Sequence, residues 1–380
     1  MTGLKSVTVA AVGDVSTGFD PPDSAFSYVM KPLRSADIKF AQVERVYSER
    51  GSFQQQSGAL HSRQHPRMAA AFKTVPFDVV SIASNHSGDW GPEAIEDTQK
   101  TFRLLDIGTI GAGVNISDAR KPLVISRKKL RIVFLGYVST TLPQYWATEG
   151  RAGSVPMRAH TFYEPYEFQP GAPPRVITIP HEGDLEELVQ DVRAAKKIAD
   201  VVLVSLHWGV HFVVRPCDYQ PMVGHAAIDA GADAVIGHHA HQPQAIERYK
   251  SGVIFYSLGN FCFYRTAAHK RNSPRCAPNR EYTFQEVYSL EPEPGVVYDY
   301  QRHYNEGGIA FLEFDKDGLA AAEYLPTFMR ESGHAEVVGP DSPQFQKSLA
   351  YLNWAGKFVK GGMTNILAVG DRYQIYRREG

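Results

Sequence analysis

Five short clusters of residue types that commonly bind metals occur along this chain, and four of them follow apolar, β-branched runs. The clusters are Gly13-Asp14, Glu44, Asn85-His86, His207-Trp208-Gly209 and His239-Ala240-His241. In open α/β sheets, the residues that follow parallel strands meet at one edge, where such folds place their active sites. The pattern therefore predicts one metal site at the carboxyl ends of sheet strands, and it favours a metal-dependent hydrolase.

The segments around these clusters alternate between strand-like and helical patterns. We expect strands over residues 7–12, 38–43, 79–84, 131–138, 201–206, 308–314 and 319–326, with the last two closing a second sheet. We expect helices over residues 92–105, 184–198 and 343–357, with Asp184 capping the second and Glu187 completing a capping box. This alternation predicts a layered α/β architecture.

Composition excludes several other classes of protein. A formal net charge of -1 over 380 residues gives no overall field towards nucleic acid or an anionic membrane. The three cysteines, Cys217, Cys262 and Cys276, have no C-x-x-C spacing, which argues against a disulfide framework and a thiolate zinc site. The residues before the first strand are too few for an export signal, and the longest apolar run contains histidines. We therefore expect a cytoplasmic protein without a membrane anchor, compatible with a homo-oligomer and acting on a small-molecule or peptide-like substrate.

Two segments interrupt the regular pattern and are predicted to be long loops. Residues 151–180 contain six prolines, and residues 264–306 are rich in Arg, Asn, Pro and Tyr. Loops of this length in a compact domain are usually functional or disordered, so we expect them to form walls or a lid over the site. We expect one domain over residues 1–330 that includes both loops, with a C-terminal helical extension over residues 331–380 packed on it.

Taken singly, the acidic clusters have ordinary alternatives. Asp14 stands at the tip of a strand and can hold a divalent cation, but many Gly-Asp pairs are simple turns. Glu44 follows a strand in the same way, and it could instead form a surface ion pair with Arg45 or Arg50. The case for a metal site rests on the clusters acting together.

The Asn-His pair offers two different chemistries. Asn85 presents an amide oxygen that can bind a metal, and His86 an imidazole that can donate a proton. The alternative is a turn-forming asparagine beside a surface histidine. Asp89 could orient His86 or cap the helix that starts near residue 92.

The later histidines are the most specific signal. His207 ends the most apolar strand, where an imidazole must find a buried partner or bind a ligand. His239 and His241 lie two residues apart after an apolar run, which suits convergence on neighbouring metal ions. A surface histidine tract fits poorly with the preceding Ala234-Val235-Ile236.

The order of these clusters and the residues in them resemble the motifs of the poly-gamma-glutamate capsule synthesis (CapA) family, whose members resemble calcineurin-like metallophosphoesterases. The resemblance spans about residues 7 to 263. The matching stretches are Ala11-Val12-Gly13-Asp14, Ser84-Asn85-His86 with Asp89 and Gly91, Gly111-Ala112-Gly113-Val114-Asn115, His207-Trp208-Gly209, Gly231-Ala232-Asp233-Ala234-Val235-Ile236-Gly237-His238-His239 and Tyr256-Ser257-Leu258-Gly259-Asn260-Phe261.

The resemblance implies a four-layer α-β-β-α sandwich of the metallophosphoesterase type with a dinuclear metal centre. By position, one ion would be held by Asp14, Glu44 and His241 and the other by Glu44, Asn85, His207 and His239, with Glu44 as the bridge. His86 would donate a proton to the leaving group and Asp89 would orient it. Oxygen and nitrogen ligands without thiolate favour Mn, Fe or Zn.

Two positions depart from the pattern. Where calcineurin-like enzymes have Asp-x-His, this chain has Asp14-Val15-Ser16, so we expect the first ion to have one imidazole fewer. Where the family commonly has an acidic residue after the His-Trp-Gly group, this chain has His211, which we expect near the metal or substrate. The alternative for His211 is a strand-edge histidine with a satisfied hydrogen bond.

Four side chains are expected to contact substrate, namely His211, Asn260, Arg265 and His238. Arg265 belongs to a set of loop arginines that could clamp a carboxylate or phosphate, although arginines in loops are more often plain surface residues. For Asn260, structural packing is the equal alternative.

The resulting expectation is a metal-dependent hydrolase that acts on an amide or peptide-like bond. Phosphoester hydrolysis is the alternative enzymatic reaction, because two metal ions can activate water for either bond. A second alternative is a non-catalytic component of poly-gamma-glutamate (capsule) synthesis or export that retains the fold and a structural metal.

Overall fold

The structure is a computed structural model that describes residues 6–54, 63–165, 174–264, 293, 302–359 and 364–379. The described strands are β1 Val7–Ser16, β2 Ile38–Val43, β3 Val79–Ser81, β4 Gly108–Ile110, β5 Ala112–Gly113, β6 Leu123–Arg127, β7 Leu130–Val138, β8 Gly153–Ser154, β9 Ala159–Glu164, β10 Arg175–Pro180, β11 Val201–His207, β12 Ala234–His238, β13 Ile246–Tyr249, β14 Gly252–Phe255, β15 Asn260–Phe263, β16 Glu306–Asp315, β17 Gly318–Met329, β18 Ala335–Val337, β19 Leu367–Val369 and β20 Arg372–Arg377. The described α-helices are α1 Met30–Arg34, α2 Ala71–Thr74, α3 Pro92–Leu104, α4 Ile116–Ala119, α5 Glu182–Ile198, α6 Tyr219–Ala230 and α7 Pro343–Ala355.

Most of the strands belong to two mixed sheets. The larger sheet has the order β19-β20-β17-β16-β1-β2-β3-β4, with β15 also paired to β1 and β18 to β17. The smaller sheet has the order β13-β14-β12-β11-β7-β6. The prediction that residues 308–314 and 319–326 close a second sheet is wrong, because β16 pairs antiparallel with β1 and extends the same sheet.

Alternating side chains on the central strands build three hydrophobic layers. On β1, Val9 faces the smaller sheet, while Ala10 faces the layer that contains α1 and α3. The two sheets meet directly, because the rings of Phe40 and Phe134 stack with centroids 6.0 Å apart. On the far side, Val202 packs in the layer that contains α5 and α6. The predicted four-layer α-β-β-α sandwich is therefore confirmed.

The helices follow the predicted pattern with one correction at a helix start. Helix α5 begins at Glu182, and its N-cap is His181, whose Nδ1 accepts a hydrogen bond from the Asp184 backbone N–H. The predicted capping role of Asp184 is wrong, because its carboxylate is taken by Arg158, whose Nη2 and Nε donate to it at 2.6 and 2.8 Å. Two charge-assisted hydrogen bonds from a guanidinium are stronger than one bond from a backbone N–H at a helix end, so the carboxylate pairs with Arg158.

The structure describes the first of the two predicted loops largely as a hairpin and leaves most of the second undescribed. Residues 151–180 are not a structureless loop, since β9 and β10 form an antiparallel hairpin there. This hairpin packs beside the start of α6, where the Tyr219 backbone N–H donates to Thr178 Oγ1 at 3.2 Å. In the second segment, residues 265–292 and 294–301 lie outside the described residues, and with them the predicted lid.

The C-terminal segment contributes strands as well as a helix. Helix α7 packs its Phe345 and Leu352 into the core between the sheets, and β20 pairs with β17 and is followed by β19 at the edge of the larger sheet. The extension is therefore not only helical. No helix in the described part of the chain has the length and apolar character needed to cross a membrane.

Candidate metal centre

Both sheets deliver polar side chains to one edge of the molecule. Asp14 lies near the end of β1, and Glu44 directly follows β2. From the smaller sheet, His207 is the last residue of β11 and His239 directly follows β12. Because β1 runs parallel to β2, and β11 parallel to β12, these residues emerge together, as the sequence pattern predicts.

A close backbone approach fixes the position of Asp14. The register of β1 against β2 shifts between Val12 and Asp14, which marks a bulge at Gly13. The Asp14 backbone N–H donates to the Gly259 carbonyl at 3.1 Å. A Cβ atom on Gly13 would lie 1.9 Å from that carbonyl oxygen, so only glycine allows the two segments to meet.

We expect Gly13→Ala to disturb this junction. The added methyl group must push Gly259 away, which should lower the free energy of unfolding by about 1–3 kcal/mol and weaken metal binding. Gly150→Ala is the matched control, since its Cβ would meet nothing within 4 Å. Urea unfolding and metal titration of both variants test this; an unchanged Gly13→Ala protein would contradict it.

The carboxylates and imidazoles face one another across a small space. Asp14 Oδ1 lies 3.8 Å from His207 Nδ1, and Asp14 Oδ2 lies 3.6 Å from His241 Nδ1. Glu44 Oε2 lies 3.7 Å from His207 Nε2, and Glu44 Oε1 lies 3.7 Å from His241 Nε2. Potential ligand atoms of Asp14, Glu44 and His207 all lie within 4.8 Å of one another. Each acid therefore faces both imidazoles.

Unsatisfied buried atoms show that these residues fit a divalent metal. Asp14 Oδ1, Glu44 Oε1 and His207 Nδ1 are all buried and have no hydrogen-bond partner. Leaving such atoms unpaired is costly, and a cation among them would satisfy all three. Oxygen and nitrogen donors without thiolate suit Mn, Fe or Zn. The division of ligands between two ions stays a prediction.

Burial also sets the protonation of the site. It raises the pKa of Asp14 to about 7, and burial together with the Asp14 charge raises the pKa of Glu44 well above its usual range. Burial lowers the pKa of His207 and of His239 well below the ordinary value. The imidazoles are therefore neutral, which is the form that binds metals.

A buried amide orients His241. Asn260 Nδ2 donates to the carbonyls of His241 and Tyr304 at 3.3 and 2.9 Å, so its Oδ1 is the acceptor that faces His241 Nδ1 at 2.8 Å. This contact places the proton on Nδ1 and leaves the Nε2 lone pair towards Glu44. The contacts of this fully buried side chain with His241 and Tyr304 favour the packing alternative for Asn260, and its substrate contact stays a prediction.

The second group of predicted ligands is also assembled. His207 Nε2 lies 2.9 Å from Asn85 Oδ1 and 3.2 Å from His239 Nδ1. The backbone turns sharply here, with φ of 90° at His239 and 54° at His241, a left-handed conformation that non-glycine residues rarely adopt. Such strain is typical of functional sites.

His86 and Asp89 form a pair at the rim of this centre. His86 Nδ1 lies 2.6 Å from Asp89 Oδ2, and His86 Nε2 lies 3.7 Å from Glu44 Oε1. Helix α3 has Gly91 as its N-cap and no side-chain cap bond, so Asp89 does not cap that helix. Ser84 donates to Glu44 Oε2 at 3.3 Å and accepts from the His86 N–H at 3.0 Å. The sequence pattern does not predict this supporting role.

Comparison with known proteins places this site in a family. The family model described as "Bacterial capsule synthesis protein PGA_cap" matches residues 8–265. The chain belongs to this family. The matched range includes all the residues of the metal centre described above, which confirms the resemblance that the motifs predict.

Several relatives of this chain have names that refer to capsule or polymer synthesis. The "Capsule biosynthesis protein CapA" of Bacillus anthracis is 28% identical over 269 residues, covering 68% of this chain and 60% of that protein. The "PGA biosynthesis protein CapA" of Bacillus subtilis is 29% identical over 252 residues, covering 66% and 60%. A "Probable polyglutamine synthesis accessory protein" of Mycobacterium tuberculosis is 26% identical over 230 residues, covering 60% and 55%. The matched region thus spans about 60% of the first two relatives.

In this PGA_cap chain, the predicted substrate contacts are placed differently. The ring of His211 lies 4.0 Å from that of His239 and 5.0 Å from that of His241, centroid to centroid, so His211 is at the site. His238 is fully buried and faces the core between the sheets, with its ring 5.8 Å from that of Phe40. This position does not support a substrate contact. Arg265 lies outside the described residues.

Acid should destabilise the protein through His238. Burial lowers the pKa of His238 from 6.5 to about 3, so the unfolded chain takes up the proton first and stability is lost as pH falls through this window. In the metal-free proteins, wild type should lose about 1.5–2 kcal/mol more than His238→Leu between pH 6.5 and pH 5. Urea unfolding at both pH values tests this; parallel losses would contradict it.

Proposed function

We propose that this chain is a metal-dependent hydrolase that uses a dinuclear metal centre. The observation that carries the proposal is the convergence of Asp14, Glu44 and His207, whose potential ligand atoms lie within 4.8 Å of one another and each of which has a buried polar atom without a hydrogen bond. A purely structural core would not leave two carboxylates and an imidazole buried in this state.

The residues around the centre supply the rest of the chemistry. Two divalent ions held by Asp14, Glu44 and the histidines would provide Lewis-acid activation of water. His86 directs its Nε2 to the Glu44 side of the centre and donates a proton to the departing atom of the substrate. Asp89 holds the His86 ring from the other nitrogen and so fixes its orientation.

The bond cleaved is best assigned as an amide or peptide-like bond. Two relatives are named for capsule biosynthesis and PGA biosynthesis, and a poly-gamma-glutamate chain, the polymer after which the resembled family is named, is joined by amide bonds. Amide hydrolysis needs protonation of a departing nitrogen, which is the role that His86 can fill. Phosphoester hydrolysis is the competing reaction, because the same centre can activate water towards phosphorus.

A second candidate function is a non-catalytic component of polyglutamate synthesis or export. One relative is named an accessory protein, which favours this candidate. In that case, the metal centre would stabilise the fold without turnover.

Elemental analysis followed by a hydrolysis screen separates these candidates. The protein is purified without chelator, its Mn, Fe and Zn are counted per chain, and the same preparation is assayed on anilides and nitrophenyl phosphates, with a chelator-treated sample as control. About two ions per chain and chelator-sensitive amine release support the amide hydrolase. Phosphate release alone would assign phosphoesters; bound metal without turnover would favour the accessory role; and failure to bind any metal would overturn the proposal.

A further inference from the structure

Arg45 is a buried cation that no described protein group holds. It directly follows Glu44, and only 9% of its surface is exposed. Its Nε and Nη1 atoms are buried and make no hydrogen bond. Among the described residues, no carboxylate lies within 4.0 Å of its guanidinium nitrogens. The alternative reading of Arg45 as a surface ion-pair partner of Glu44 is therefore wrong, and Arg50 pairs with Asp97 instead.

Arg45 lines a small cavity together with Glu44 and Ser87, and its charge acts on Asp89 at the rim of the metal centre. Burial raises the pKa of Asp89 to about 7, and the Arg45 charge is the main effect that opposes this rise. The guanidinium thus lies within electrostatic reach of the His86–Asp89 pair.

A guanidinium in this state has unused binding capacity. It carries five N–H donors in a planar fork and cannot lose its proton, so burial without acceptors is costly. An oxyanion with two oxygens is its best match, because both can accept hydrogen bonds in parallel. His211 Nε2, which is also buried and without a hydrogen bond, is a second free polar atom near the metal centre.

We infer that Arg45 binds an oxyanion of the substrate, a carboxylate or a phosphoryl group next to the reacting bond. The inference rests on the proposed function for the reacting bond, but anion binding itself does not require turnover. It narrows the substrate class to amides that carry a negative charge beside the cleaved bond, or to phosphoesters if the oxyanion is phosphoryl.

Anion binding to the metal-loaded protein tests the inference directly. Glutarate and inorganic phosphate are titrated by calorimetry into wild type, Arg45→Gln and Arg63→Gln. Arg63 is the matched control, since its guanidinium stacks over the Trp90 ring at 4.2 Å and donates to the Arg50 carbonyl. We expect Arg45→Gln to weaken the binding of one probe by about 10–100-fold, and Arg63→Gln by less than about 3-fold, with equal metal content in all three proteins. The probe that is affected identifies the oxyanion.

A pair of substrates then links binding to the reaction. A p-nitroanilide with a carboxylate beside the amide is compared with its neutral methyl ester. For Arg45→Gln, kcat/KM should fall by about 10–100-fold on the charged anilide and stay within about 3-fold on the neutral one. If Arg45→Gln does not fold, Arg45→Lys, which keeps the charge and loses the fork, should show an intermediate loss.

The outcomes separate this inference from the proposed function. Arg45-dependent anion binding without any turnover would refute the hydrolase and leave the anion site standing. Wild-type anion affinity in Arg45→Gln would overturn the inference. A change in metal content alone would also overturn it, because Arg45 would then serve only to balance the charge of the nearby carboxylates.

Discussion

Replacing His207 with alanine should strip the metal from this protein while leaving the fold intact. His207 is fully buried and faces both Asp14 and Glu44, at 3.8 and 3.7 Å. Losing contacts to groups that merely support a metal ligand already costs 10–100-fold in metal affinity, so loss of the ligand itself should exceed about 100-fold. Activity should disappear with the metal.

The fold should survive because His207 contributes little to the metal-free core. Its ring is fully buried, its Nδ1 has no hydrogen-bond partner, and burial pushes its pKa well below the ordinary value. Removing it leaves a cavity and breaks the 2.9 Å contact of its Nε2 with Asn85 Oδ1, but it also relieves the unsatisfied Nδ1. The free energy of unfolding of the metal-free variant should therefore differ from metal-free wild type by no more than about 2 kcal/mol.

His225→Ala is the matched control, with the opposite expected pattern. His225 Nε2 lies 2.9 Å from Oε1 of the buried Glu247 on β13, and its ring stacks on Tyr249. Its removal should lower stability by about 1–3 kcal/mol and leave metal content unchanged. Metal per chain and urea unfolding are measured for both variants. A His207→Ala protein that keeps its full metal content would refute the assigned centre.

The site could be predicted from sequence to the extent that strand direction determines it. Parallel strands release their next residues at the same edge, so Asp14, Glu44 and His207 could be placed together from the apolar runs before them. The sequence leaves two alternatives for Asp89, because its position suits both a hydrogen bond to His86 and a cap on the helix that starts near residue 92. Only the geometry at Gly91 decides between them.

Sheet membership and side-chain burial could not be predicted in the same way. The sequence of an antiparallel strand such as β16 does not indicate which sheet the strand joins. Here β16 pairs with β1 rather than building a second sheet. Asn260 and His238 both occur in motif stretches, yet their contacts depend on which face of the strand points inward. The buried state of Arg45 depends on packing between distant segments, which local sequence does not encode.

Replacing His86 with glutamine should slow turnover by about 10²–10⁴-fold while leaving the metal bound. His86 Nε2 lies 3.7 Å from Glu44 Oε1, near enough to reach a departing group at the centre, and its other nitrogen is bound to Asp89. Glutamine keeps a polar side chain of similar reach but cannot transfer a proton at neutral pH. The loss should therefore appear in kcat, with KM changed by less than about 3-fold.

Variants of Asp89, the partner of His86, help to distinguish proton donation by His86 from metal binding by His86. Asp89→Asn keeps the shape of the pair but removes the carboxylate that holds the His86 ring, so it should lower kcat less than His86→Gln does and leave metal content equal to wild type. Amides with progressively better leaving groups provide the decisive series, because protonation matters less when the departing amine is a weak base. The defect of His86→Gln should shrink along that series if His86 is the proton donor. If metal is lost together with activity in His86→Gln, His86 is a ligand, and the proton must come from another group, for which His211, whose ring lies 4.0 Å from that of His239, is a candidate.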